Sequence, residues 1–402
     1  MNAEKIREDF PALQQKLKNK PVVYLDSACM SLRPGQVIAA MNEYYEKYPG
    51  CAGRSMHKFG NMVTEKYREA RRVIAKSLNA KENELIFTRN TTEGINLVAH
   101  SIGLKSGDTV VASDKEHNSN LIPWQLLSKS KDIKHIIVKS NDDNTFNLER
   151  FEEAMGNNKN IRLVTMVHTS NLDGYTMPAR EVIKISHNHG ALVLLDAAQS
   201  MPHREIDVKK LGCDFLAFSG HKMLGPSGIG CLYGTYELLE KLNPFIVGGE
   251  TVERTTYDTQ IFLKPPEKFE AGLQNYAGAL GLAEAVKYLD KIGKDNVEKH
   301  ENELNKIITD SLEAVGASII GPSAGQRGGI ISFNLKGIKY HDVAIMLDEM
   351  ANIMIRSGQF CVHSWFAAHG IEGAARVSLY LYNTKDECSI FRENIEKIAK
   401  MF

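Results

Sequence analysis

The apolar run Phe215-Leu216-Ala217-Phe218 ends in Ser219-Gly220-His221-Lys222, and that ending holds the densest chemistry in the chain. The run has the length and make-up of a buried strand. A lysine just past the end of a core strand points to a pocket rather than to open surface. Burial makes an amine shed its proton readily, so a pocket lysine is a candidate for Schiff-base chemistry. A second run, Leu192-Val193-Leu194-Leu195, ends in Asp196 and continues as Ala197-Ala198-Gln199. Open α/β sheets bind their ligands at the carboxyl ends of strands. The plainer reading of Asp196 is a helix N-cap. The functional reading is a partner for a protonated ring nitrogen, which pyridoxal phosphate requires. An Asp at one strand end and a Lys at a following one is the spacing expected of a pyridoxal site.

Other candidates follow other strand ends. Thr88-Arg89-Asn90-Thr91-Thr92-Glu93-Gly94 links a strand to an amphipathic helix. Thr91 or Thr92 is expected to cap that helix, and its first-turn N–H groups with those hydroxyls form an anion site. Ser219 and His221 would add donors to the same phosphate. His117, in Glu116-His117-Asn118, could stack on a cofactor ring and relay protons. A lone histidine is more often an ordinary surface or core residue. Asn171 and Gln199 are both candidates for the ring oxygen. Cys361 lies in Arg356-Ser357-Gly358-Gln359-Phe360-Cys361-Val362-His363, where Arg and His favour the thiolate. An incidental free cysteine is the alternative. Arg376 is a candidate for a bidentate grip on a substrate carboxylate, with a surface arginine as the alternative. No metal site is expected: His187-Asn188-His189 has no companion cluster, and no P-loop or dinucleotide fingerprint follows a strand.

These residues need elements to hold them. Short apolar runs fall at 84–88, 109–112, 135–138, 163–167, 191–195, 215–218 and 228–233, alternating with amphipathic stretches. Contiguous rather than alternating apolar residues suit a mostly parallel sheet covered by helices on both faces. From Ala279 the period becomes helical, with strand-like runs at 330–335 and 376–380, which predicts a smaller α+β domain. The expected division is an N-terminal segment 1–20 packing on the small domain, a large α/β domain 21–275 and a small domain 276–402. Formal net charge is zero over 402 residues, so nothing in bulk charge points to nucleic acid or an anionic membrane. No apolar run approaches bilayer length, and the charged start lacks a signal-peptide core. A cytoplasmic protein is expected. Its six cysteines include no C-x-x-C pair and are expected to be free thiols, with Cys213 and Cys231 in the core.

The chain resembles the class V, fold-type I pyridoxal-phosphate enzymes, and within them the NifS/SufS-like cysteine desulfurases. Five motifs carry the resemblance: Thr91-Thr92-Glu93-Gly94-Ile95-Asn96, Glu116-His117-Asn118, Asp196-Ala197-Ala198-Gln199, Ser219-Gly220-His221-Lys222 and Phe269-Glu270-Ala271-Gly272. The short Arg356-x-Gly358-x-x-Cys361 loop is similar to the SufS/selenocysteine-lyase branch. The resemblance implies a fold-type I transferase with a mostly parallel seven-stranded sheet, pyridoxal 5'-phosphate as cofactor and a homodimer. It implies that Lys222 carries the cofactor and moves the Cα proton, and that Asp196 keeps the ring nitrogen protonated. His117 would stack on the ring, with Gln199 and Asn171 touching ring or substrate. Thr91, Thr92, Ser219 and His221 would hold phosphate, and Arg376 with Arg356 the substrate carboxylate. Cys361 would take sulfur from L-cysteine as a persulfide, leaving alanine and supplying a sulfur acceptor or an iron–sulfur scaffold protein. Selenocysteine lyase, or a class V aminotransferase or epimerase, is the alternative activity; an idle relative serving as scaffold is a third. Relatives usually have Thr-Pro after Glu-Ala-Gly, the Thr reaching a neighbouring subunit's phosphate. Here Leu273-Gln274 follows, and leucine cannot donate.

Overall fold

The apolar runs of the first half assemble side by side. A computed structural model describes residues 1–402. It forms seven strands: β1 (Leu85–Thr88), β2 (Thr109–Ser113), β3 (Lys134–Val138), β4 (Ile161–Val167), β5 (Leu192–Asp196), β6 (Phe215–Ser219) and β7 (Gly230–Gly234). Their order across one sheet is β1-β7-β6-β5-β4-β2-β3. All neighbours are parallel except β7, which runs against β1 and β6. The expected sheet is therefore present, and helices cover it. Strands β1, β2, β6 and β7 are buried along their whole length, as contiguous apolar residues require. Strand β3 departs from that pattern. It is the edge strand, Lys134 and Ile137 are exposed, and only Val138 is buried.

Helix α1 (Lys58–Ser77) buries Val63, Tyr67, Ala70, Arg71 and Ile74, one face at helical spacing. Among these, Arg71 forms a bidentate pair with Glu270 (2.7 and 2.8 Å). Glu270 also accepts from Tyr67 Oη and from the Phe87 amide. That buried carboxylate ties the Phe269–Gly272 motif to β1, and removing one partner of such a pair costs about 3–5 kcal/mol. Helices α2 (Thr91–Ser101) and α3 (Asn118–Lys131) leave the carboxyl ends of β1 and β2.

The second half begins with α4 (Tyr276–Ile292) and α5 (Lys294–Ala314). A four-stranded antiparallel sheet follows, with β8 (Ser318–Ile320), β9 (Ile330–Asn334), β10 (Arg356–Gly358) and β11 (Ala374–Ser378) in the order β8-β9-β11-β10. Helix α6 (His363–Ala368) sits between β10 and β11, and α7 (Lys385–Ala399) closes the chain behind a Thr384–Glu387 capping box. The run expected at 376–380 is a strand two residues earlier, because Tyr380 leaves the sheet to bond the Asn383 side chain.

Near residues 20 and 275 the two hydrophobic cores exchange segments. Val23 and Leu25 join the smaller core with Leu304, Ile331 and Phe391, and strand Val23–Tyr24 pairs with Ile353–Met354. Leu282, Val286 and Leu289 of α4 join the larger core instead. Residues 1–20 touch both halves: Arg7 pairs with Glu387 and Phe10 packs on Tyr288 and Tyr382. No helix is long and apolar enough to cross a membrane.

Candidate active site

Strands β1, β2, β4, β5 and β6 bring their carboxyl ends to one rim, and the candidate residues follow those ends. Together with the β10–α6 loop and β11 they enclose a cavity of about 200 Å³. Lys222 ends a short turn after β6, where burial pulls its ammonium pKa down while Asp196 opposes that shift. Asp196 is the last residue of β5 and is 3% exposed. Burial raises its carboxyl, with Lys222 and a bond from the Ala198 amide (2.9 Å) pulling the other way.

The threonines sit at the start of α2, but neither caps it. Asn90 does, its Oδ1 accepting from the Glu93 amide at 3.0 Å. Its backbone is extended, with φ of −176°, while Thr91 is already helical, so the cap falls one residue earlier than expected. Thr91 is thereby free to approach Ser219: Thr91 N donates to Ser219 Oγ at 2.8 Å, and the hydroxyls lie 2.6 Å apart. Gly230 makes this approach possible. A Cβ there would lie 2.5 Å from Phe218 O and 2.8 Å from Asn90 Cα. Thr92 Oγ1 meets Ser119 Oγ at 2.7 Å. The result is a helix N-terminus ringed by hydroxyls, with His221 lining the same cavity.

His117 caps α3 with its own ring. The Ser119 amide donates to Nδ1 at 3.1 Å, which leaves Nδ1 unprotonated and assigns the ring proton to Nε2. Burial first, then the charges of Lys222, Arg376 and His363, push its pKa down to about 3. The ring is therefore neutral at pH 7. The preceding Glu116 is buried and anchors this corner, accepting from Ser113, from Asn120 Nδ2 (2.6 Å) and from the Val167 amide (2.8 Å).

Arg376 is 3% exposed, so it is no surface arginine. Its Nη1 donates to Asn171 O (3.0 Å), its Nη2 reaches Asp26 Oδ1 (3.4 Å), and Nε is buried without a partner. Arg356 stands directly opposite it across the β10–β11 pair. Like charges in register destabilise a sheet unless an anion lies between them. Asn171 Nδ2 bonds Phe360 O (2.7 Å) and Gln199 Nε2 bonds Ala28 O (2.7 Å). Each amide spends its donor on backbone and leaves a buried, unpartnered oxygen at the cavity.

Cys361 is exposed on the β10–α6 loop. Phe360 and Cys361 both have left-handed φ, 49° and 59°, and the Arg376 guanidinium lies over the Phe360 ring at 4.7 Å. A helix of the large-sheet half holds the loop: Asn118 N donates to Cys361 O (2.7 Å), and Asn118 Nδ2 meets His363 Nδ1 (2.8 Å). All twelve candidates thus line one cavity, although Arg356 belongs to an exposed strand edge. Sequence reasoning missed Asn90, Ser119 and Cys29, which line it too. Asn90 carried a signal, being a good capping residue just ahead of Thr91.

The residues fit pyridoxal phosphate. The unpartnered Asn171, Gln199 and Arg376 atoms await a polar ligand, Asp196 suits a ring nitrogen, Lys222 suits an aldehyde and the α2 terminus suits a phosphate. A sequence model described as aminotransferase class-V matches residues 23–391. The chain belongs to the aminotransferase class-V family. A relative from Halalkalibacterium halodurans, named a probable cysteine desulfurase, is 40% identical over 100% of this chain and 99% of its own length. The apo cysteine desulfurase of Thermococcus onnurineus superposes with a TM-score of 0.95 at 38% identity, covering 99% of this chain and 98% of that one. The cysteine desulfurase CsdA of Escherichia coli gives 0.92 at 31% identity, covering 100% and 99%. Class V enzymes of this fold use pyridoxal phosphate, and the resemblance expected from the motifs extends over the whole chain.

Leu273 is 63% exposed, and Gln274 folds back on the carbonyls of Glu270, Ala271 and Gly272. Cys213 and Cys231 are buried, and all six cysteines are free.

Proposed function

We propose that this protein is a cysteine desulfurase that moves the sulfur of L-cysteine onto Cys361 and releases L-alanine. The observation that carries this reading is the meeting of Lys222, Arg376 and the free thiol of Cys361 on one cavity. When bound, pyridoxal phosphate supplies an electron sink for charge released at the substrate Cα. Thr91, Thr92, Ser219 and His221 hold its phosphate and Asp196 its ring nitrogen. Arg376 and Arg356 clamp the substrate carboxylate, which adds a second anion to the one Asp26 offers their facing charges. Lys222 Nζ moves the Cα proton, and His117 holds a proton at Nε2. Cys361 Sγ attacks the substrate sulfur: an S–S bond forms as the substrate C–S bond breaks, leaving a persulfide.

Exposed apolar side chains on the 245–273 connection, namely Val247, Tyr257, Ile261 and Leu273, support the reading of a homodimer, whose partner surface would cover them. A sulfur-acceptor or iron–sulfur scaffold protein would approach the exposed Cys361, in the cytoplasm. The test incubates the holoenzyme with L-cysteine, measures alanine and sulfide under reductant, and maps the Cys361 peptide by mass. One added sulfur on that peptide with stoichiometric alanine is expected. Formation of a 2-oxo acid with no added sulfur would instead mark a transaminase.

A further inference from the structure

A second thiol faces the same cavity. Cys29 is half-buried and, like Cys361, lines it. The turn that carries it is fixed on two sides. Toward the small domain, Ala28 N donates to Ser378 Oγ (2.9 Å), two residues past Arg376, and Asp26 Oδ1 meets Arg376 Nη2 (3.4 Å). Toward the large domain, Ser31 N donates to His221 O (3.0 Å), the carbonyl just before Lys222, and Ser31 Oγ accepts from the Leu224 amide (2.8 Å). Cys29 is thereby held between the anchors of Arg376 and Lys222. The ring of Phe360, the residue before Cys361, packs on the same guanidinium at 4.7 Å. A charge on either sulfur acts on Lys222. Beside Cys29, Gln199 holds Ala28 O through Nε2 and leaves its buried Oε1 unpartnered at the cavity, the mark of a ligand space rather than of packing.

We propose that Cys29 is a second sulfur-carrying thiol, which takes the outer sulfur of the Cys361 persulfide. This rests on the desulfurase reading above. The Cys29 thiolate attacks the outer sulfur; the Cys29–S bond forms as the Cys361–S bond breaks, and Cys361 leaves as a thiolate that takes up the proton Cys29 released. One sulfane sulfur changes carrier and nothing is oxidised or reduced overall, so no co-reactant is needed. The transfer empties exposed Cys361 for a second substrate and parks the sulfur on a less accessible thiol, in the turn that Asp26 ties to the Arg376 guanidinium, a cation that suits a perthiolate anion.

The test gives the holoenzyme excess L-cysteine without reductant or acceptor, alkylates it, and maps peptide masses while counting alanine. The expected result is an added sulfur on both the Cys29 and Cys361 peptides, with an alanine burst about twice that of Cys29→Ser. Cys361→Ser should carry no added sulfur on Cys29, since Cys29 is loaded only through Cys361. Cys51→Ser, at a half-buried cysteine outside the cavity, should match the parent. Wild-type sulfur confined to Cys361 overturns the relay, and this outcome needs no variant to fold. Sulfur on Cys29 in Cys361→Ser overturns it differently, making Cys29 a direct nucleophile. Absence of alanine and of any added sulfur overturns the desulfurase reading, and the relay with it.

Discussion

Lys222 and Cys361 face one cavity but are held by opposite means. Lys222 lies on a short turn between two central strands, half-buried, with its surroundings fixed by the ladder of the seven-stranded sheet. Cys361 lies on a loop leaving an edge strand of the smaller sheet, exposed, in two successive left-handed residues. Its position depends on a few polar bonds from Asn118 and Asn171, which belong to the large-sheet half. Cofactor binding is thus built into a core, whereas sulfur capture is built on contacts that can be removed singly. Changes on the lysine side should abolish both cofactor attachment and turnover; changes on the cysteine side should spare the first.

The largest effect belongs to Lys222→Ala. Turnover of L-cysteine should fall by about 10³-fold or more, and borohydride treatment should fix no cofactor to the chain. Retained turnover would remove the lysine from the chemistry. Next, Cys361→Ser should cut sulfur release by roughly 10²-fold while borohydride still fixes cofactor on Lys222, because a hydroxyl is a far poorer sulfur nucleophile. If that variant also loses its cofactor, the two regions are not separable. Arg376→Lys keeps the charge but loses the fork that meets Asn171 O and Asp26. A charged hydrogen bond is worth about 1.5–3 kcal/mol, so kcat/KM should drop roughly 10- to 100-fold, mostly through KM. An unchanged KM would place the carboxylate elsewhere.

Glu116→Gln probes the rigid side by pH. Burial raises this carboxyl to about 7, above its ordinary value near 4.5, with the charge of Asp196 adding to the shift. The folded state therefore binds a proton that the unfolded state lacks between those values. Its contribution is full below about 4.5 and is lost as pH rises through 7. The stability deficit of Glu116→Gln, read from denaturant midpoints, should shrink as pH rises from 5 to 8. A deficit that grows instead would show an ionised Glu116 at neutral pH. The smallest effect is expected for Asn118→Ala, which removes the 2.8 Å bond to His363 but leaves the backbone bond to Cys361. About 0.5–1.5 kcal/mol of loop stability should go, seen as faster hydrogen exchange at 359–363 with cofactor attachment intact.

The rim of the large sheet was legible because its signals are local. A contiguous apolar run names a buried strand, and the polar residue after it names the rim, which is how Asp196, Lys222 and His117 were found. Where position depends on a distant partner, the signal fades. The cap at Asn90 turns on backbone geometry that Gly230, far along the chain, permits. Val23 and Leu25 belong to the smaller core through pairing with Ile353 and Met354. Cys29 gains its place from Ser378 and His221, neither of which its neighbours in sequence suggest. Strand β3 reads as apolar yet lies at an edge, because run composition does not report order across a sheet.

The ring of His117 has one port. Its Nδ1 is spent on holding the first turn of α3, so a proton given up at Nε2 can be restored only at Nε2 unless the helix gives up its cap. A two-ended imidazole acts as a wire; this one acts as a terminal, returning its proton by the face through which it came. Chemistry at the rim then keeps its protons within the cavity, and helix α3 serves as the insulation.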